Sequence, residues 1–201
     1  MTITVFGDSI SGNCLKVRWL LDRLAIPYDW RETDVLSGVT RTPEFLCVNS
    51  AGQVPVVVLP DGRSLAQSNA ILVHFGEGTD LIPAAPYDRA KMFEWLFWEQ
   101  YSHEPYIAVR RFQLEYLKKD PAELDPKLFE RGSAALQRMD EALEGRQWLT
   151  GDALSLADIA LVAYTRFAHQ GGFDLGLYPN VARWVARVEQ ALGIEAARVV
   201  A

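Results

Sequence analysis

The chain has 201 residues, 49% of them hydrophobic and 23% charged, with a net charge of −6 at pH 7. That length suits one or two small domains with well-formed cores, and the apolar share with six tryptophans excludes a disordered chain. The acidic balance argues against nucleic acid as a partner.

Ile3 to Phe6 read as a strand, closed by Gly7 and Asp8. The N-terminus therefore passes at once into structure, and no apolar run approaches the roughly 18 residues of a membrane span. Neither a leader peptide nor a membrane helix is expected. A polar loop, Ser9 to Asn13, leads into a helix with Cys14, Val17, Leu21 and Leu24 on one face and Lys16, Arg18, Asp22 and Arg23 mostly off it. Pro27 ends it, and Tyr28 to Thr33 form a second strand, so that strand, helix and strand make a right-handed parallel unit. Cys14 and Cys47 are too few for a disulfide framework or a zinc site, so no metal is expected and the reducing cytoplasm is the natural compartment.

Residues 36–42 are polar and contain a glycine; Pro43 to Leu46 then read as one short helix with proline in its first turn. Val54-Pro55 precedes a β-branched run, Val56 to Leu59, where a proline cannot donate to a ladder and a cis bond would form the turn. Asp61-Gly62 turns this run back into Ser64 and Leu65. Gln67-Ser68 then opens a helix running to Phe75, and free N–H groups at a helix start attract a carboxylate. Residues 79–85 read as a linker between a mixed domain, 1–78, and an all-helical one, 86–201. In the second domain Asp88 is expected to cap a long helix from Arg89, bent or broken at Pro105. A helix through Leu136 stops at Gly145, Ser155 and Asp158 form a capping box, and Pro179 opens a last amphipathic helix.

Gly52-Gln53-Val54-Pro55, Asp61-Gly62 and Gln67-Ser68-Asn69-Ala70-Ile71, in that order and spacing, resemble the second half of the thioredoxin-like domain of glutathione transferases. Leu149 to Ile159 resemble a folding and capping element of that family's helical domain, which makes Asp158 structural. Ser50 stands where the family usually has a proline, and Gln67 where it more often has an acid. The resemblance covers nearly the whole chain. It implies a thioredoxin-like α/β domain, an all-α helical domain, and a two-fold homodimer. The co-substrate it implies is glutathione, attacking a small electrophile. Val54, beside Pro55, would pair with the cysteinyl unit, and Gln67 and Ser68 would hold the γ-glutamyl end, with Gln53 and Arg41 helping. An acid of the partner subunit holds the ammonium in some relatives; for Glu99 and Glu104 a solvated helix face is the simpler role.

Glutathione chemistry needs a thiolate near neutral pH, whereas a free thiol has a pKa of about 8.5 and each unit of depression takes about 1.4 kcal/mol. One hydroxyl donating to a charged acceptor supplies roughly 1.5–3 kcal/mol, enough for one or two units. Ser11, where the chain enters the first helix, is the candidate, resembling serine-type members of the family; Ser9 is its rival. Asn13 is a second donor to the sulfur or a helix cap. Ser11-Gly12-Asn13-Cys14 has the spacing of a Cys-x-x-Cys motif with its first cysteine replaced, yet Cys14 lies on the apolar stripe and reads as a core residue. Cys47 reads as packing. Tyr106 and Arg110, four apart on a helix beside Pro105, are candidates for an electrophile pocket between the domains. His103, among aromatic residues, is a hydrogen-bonded structural group before it is a general base.

Overall fold

The computed structural model describes residues 2–197, which divide into two compact units between Thr79 and Asp80. The first unit is built on β1 (Ile3–Gly7), α1 (Gly12–Arg23), β2 (Tyr28–Glu32), α2 (Pro43–Val48), β3 (Val56–Val58), β4 (Ser64–Ala66) and α3 (Ser68–Gly76). The sheet order is β2-β1-β3-β4, with β1 parallel to β2 and the other pairs antiparallel. This is a thioredoxin-like mixed sheet, and its parallel pair is the strand–helix–strand unit read from residues 3–33.

Alternation along β1 sends Ile3 and Val5 inward to meet Val17 and Leu21 of α1, Val57 of β3 and Ile71 of α3. Gly7 ends β1 beneath the Trp30 ring, and a Cβ there would come within 2.4 Å of the indole, so no larger residue fits without moving it. One expectation fails on α1. Lys16, placed on the outer face by its charge, has no exposed surface and lies between α1 and α3. The apolar stripe is wider than the periodicity of Cys14, Val17 and Leu21 indicates, and a lysine occupies part of it because its ammonium finds oxygen acceptors there.

The second unit holds α4 (Pro86–Trp98), α5 (Glu104–Arg111), α6 (Pro126–Ala142), α7 (Leu156–Thr165) and α8 (Pro179–Leu192). Every residue of α7 is buried, so it is the central helix of this unit. The segment 79–85 has neither helix nor strand, but Leu81 and Ile82 are buried and the Leu81 carbonyl accepts the Leu156 N–H at 3.0 Å. That part of the expected linker is packed into the second unit. Nor does Asp88 cap a helix, because α4 already starts at Pro86, whose fixed φ and missing N–H suit a first helical position. Pro105 does not break the chain; the helix instead widens into a π-turn over Glu99–His103, and α5 restarts with the proline in its first turn. No helix of the described residues is long and apolar enough to cross a membrane.

Candidate functional site

Three segments of the first unit carry the residues singled out in the sequence. The first is the approach to β3. The Val54–Pro55 bond is cis, Pro55 is buried, Val54 is half-buried and Gln53 is exposed. Ladder pairing begins only at Val56, against Phe6 and Ala66. The preceding loop is braced from within. Asn49 donates through Nδ2 to the Gln53 carbonyl at 2.7 Å and accepts the Ala51 N–H at 3.2 Å. Arg41 donates through Nη1 to the Ala51 carbonyl at 3.2 Å. Gly52 makes this possible with φ +61°, and a Cβ there would meet Arg41 Nη1 at 2.5 Å. The guanidinium of Arg41 thus holds the loop that presents Val54.

The second segment is the start of α3. Gln67 stands at φ +69°, a conformation unusual for a residue with a side chain, and is exposed. Ser68, directly after it, is only 4% exposed, and its hydroxyl donates to Asn13 Oδ1 at 3.1 Å.

The third segment is the loop into α1, where Ser9 and Ser11 part company. The Ser9 N–H and hydroxyl both donate to the Glu32 carboxylate, at 2.8 and 2.6 Å, and Trp30 Nε1 adds a third bond at 2.8 Å. Burial pushes the Glu32 carboxyl up, but the Ser9 and Trp30 donors outweigh it and hold the group low. Ser9 is therefore committed to β2. Buried Asp8 fastens the same loop by accepting the Ile10 and Val35 N–H groups at 2.9 and 3.0 Å. Ser11 is the N-cap of α1, half-buried, with no side-chain cap bond, and its carbonyl accepts the Cys14 N–H at 3.0 Å. Cys14 is fully buried, and burial pushes its thiol up to about 11 against the opposing pull of the Asp8 N–H and the Ser11 hydroxyl. At pH 7 roughly one such thiol in ten thousand is ionised, so Cys14 is a core residue. Cys47 is exposed.

Asn13 does not cap the helix. It lies inside the first turn of α1, half-buried, and its Oδ1 accepts Lys16 Nζ at 2.7 Å as well as the Ser68 hydroxyl. Ser11, Asn13 and Cys14, at the N-terminus of α1, are thus brought together with Ser68, distant in sequence, at the N-terminus of α3. Lys16 joins them and was missed in the sequence. The available signal was its three-residue spacing from Asn13, which puts the two on one side of a helix.

In the second unit the candidate residues have structural partners. Tyr106 accepts Arg131 Nη1 at 2.8 Å, while Arg110 donates to the Gly171 carbonyl at 2.7 Å and lies over the Phe129 ring. His103 is fully buried with Nε2 2.9 Å from Thr165 Oγ1; the Thr165 hydroxyl donates to the Leu161 carbonyl, so Nε2 carries the proton. Glu99, expected on a solvated face, is fully buried and accepts Gln100 Nε2 at 2.7 Å, because the π-turn it opens shifts which positions face inward. Glu104 is half-buried. Among the described residues no group of three or more His, Cys, Asp or Glu side chains is placed to hold a metal ion.

A thioredoxin-like mixed sheet with a cis-proline before β3 is followed in the chain by a separate helical unit. This chain belongs to the glutathione S-transferase family: the family's N-terminal domain matches residues 10–77 and its C-terminal domain residues 93–191. A glutathione S-transferase from Xanthobacter autotrophicus Py2 is 43% identical, with 98% of this chain and 97% of that one covered and a TM-score of 0.92. One from Pseudomonas fluorescens Pf-5 is also 43% identical, covering 94% and 95% of the two chains with a TM-score of 0.91. The disulfide-bond oxidoreductase YfcG of Escherichia coli strain K12 is 28% identical over 184 residues, 86% of this chain and 84% of that protein.

Proposed function

We propose that this protein is a glutathione-dependent enzyme that binds the tripeptide on its first unit, depresses the thiol pKa and directs the thiolate at a small electrophile. The observation that carries the reading is the cluster at the start of α1 and α3. Ser11 and Asn13 stand at the start of α1, buried Ser68 at the start of α3 donates to Asn13, and Val54 offers unladdered backbone ahead of β3. In this reading Val54 pairs with the cysteinyl unit, while the N–H groups at the start of α3 and the Gln67 amide take the γ-glutamyl end. Ser11 and Asn13 donate to the sulfur, and Gln53 and Arg41 serve the loop around Val54. The attacking atom is the glutathione sulfur, since no protein thiolate is available from Cys14. Tyr106 and Arg110 shape the helical unit and are the weakest candidates for touching an electrophile. Two free cysteines suit a reducing cytoplasm.

A second reading rests on the name of the E. coli relative, a disulfide-bond oxidoreductase. Here the first glutathione thiolate attacks one sulfur of a disulfide and expels the other as a thiol. A second glutathione resolves the mixed disulfide, giving two thiols and one glutathione disulfide. Both readings need the same bound thiolate and differ in its target. Parallel assays with an activated aryl halide and a small organic disulfide separate them. Turnover of the halide supports conjugation, and turnover of the disulfide alone supports reduction. A folded protein that turns over neither and binds no glutathione at millimolar concentration is a non-catalytic interaction module with this fold.

A further inference from the structure

Lys16 is a fully buried titratable group that the proposed chemistry does not use, and its setting is unusual. Its side chain has no exposed surface, in a position where Leu or Met would fill the same volume without desolvating a charge. Its ammonium donates to Asn13 Oδ1 at 2.7 Å and lies 3.5 Å from Ser68 Oγ. An ammonium has three donors and no acceptor, so whatever faces it must present oxygen. The Asn13 amide is therefore turned with its oxygen toward Lys16, and the Ser68 hydroxyl takes a second position on the same oxygen at 3.1 Å. A flipped amide would set its NH2 group against the ammonium.

We propose that Lys16 is a positioning residue of the glutathione site: by holding the Asn13 oxygen it makes the amide NH2 end the one presented to the sulfur, and through the same oxygen it ties Asn13 to Ser68. This rests on the glutathione reading. The thiol end of the site, on α1, and the γ-glutamyl end, at the start of α3, are then set by one buried cation. Its charge also makes Asn13 a better donor, because hydrogen bonding at the amide oxygen polarises the N–H bonds.

The test is the pKa of glutathione bound at saturation, followed by ultraviolet thiolate absorbance against pH, with affinity measured by calorimetry. Lys16→Met, Asn13→Ala and the double variant form a cycle with the wild type. Each single change is expected to raise the bound thiol pKa by about half a unit to one unit, which from a value near 7 is about a two- to fivefold loss of thiolate at pH 7. The double variant is expected to go no further than the larger single change, because Lys16 acts through Asn13. Lys16→Gln, which keeps polar atoms but can present either end of its amide, covers the case in which Lys16→Met does not fold; it should raise the pKa with affinity changed less than about threefold, and Lys16→Arg should restore it. A bound thiol pKa unchanged in the folded Lys16→Met or Lys16→Gln protein, while Asn13→Ala raises it, overturns the proposal and leaves the glutathione reading standing. Additive effects in the double variant also overturn it. Wild-type protein that binds no glutathione removes both.

Discussion

Ser11 caps α1 and Cys14 lies in its first turn, so a single loop contains both a transferase and a redox interpretation. The interpretations separate by experiment. If Ser11 donates to the glutathione sulfur, Ser11→Ala raises the bound thiol pKa by about one to two units, while affinity changes little. Cys14→Ala leaves that pKa where it was and costs stability alone, since it removes a packed sulfur. Thiol modification at neutral pH should consume exposed Cys47 and spare Cys14 until pH nears its raised value of about 11 or the protein unfolds. Loss of turnover in Cys14→Ala with Ser11→Ala fully active would give the chemistry to the cysteine. Gln67 is the other informative side chain. It is exposed at the mouth of α3, and Gln67→Glu adds a full charge for the γ-glutamyl ammonium. Calorimetry should show glutathione binding strengthened by about 1 kcal/mol; an unchanged or weaker affinity would assign the amide to the carboxylate instead.

At the scale of elements, α7 shows what the Leu149–Ile159 run contributes. The Asp158 carboxylate is fully buried and accepts four donors: the Leu149 and Ser155 N–H groups, the Ser155 hydroxyl and Trp184 Nε1. Burial pushes the carboxyl up, and those donors pull it back. Asp158→Ala would strand all of them in the interior and loosen α7 from α8, at a cost of about 3–5 kcal/mol measured by urea unfolding. A loss under about 1 kcal/mol would show that water or a shifted helix satisfies them. This element was legible in the sequence, because a capping box advertises itself over four residues. So were the strands, α1 and the hairpin of β3 and β4, whose apolar periods and turn residues are local. The Ser9–Glu32 bonds, the meeting of Asn13 with Ser68 and the burial of Lys16 and Glu99 were not, since each depends on a partner from another element or on a π-turn that shifts a helix's facing. A charged residue reads as exposed by default.

For the whole molecule, we propose that two copies of the chain meet on α4 and the π-turn that follows it. Phe93 and Phe97 stack, and Phe97 and Tyr101 are 73% and 82% exposed at four-residue spacing. Phe97→Asp together with Tyr101→Asp should convert a dimer seen by light scattering into monomer, with each unit still folded by circular dichroism. A monomeric wild type, or a dimer indifferent to these changes, would place the interface elsewhere. In the proposed function the first unit binds glutathione and ionises its thiol. Calorimetric titration with glutathione at about pH 7.5, in buffers of differing ionisation enthalpy, measures both at once. A bound pKa near 7 predicts saturable heat and release of roughly half a proton or more per site, whereas S-methylglutathione should bind with no such release. Absence of saturable heat, or a glutathione enthalpy independent of the buffer, would contradict the account.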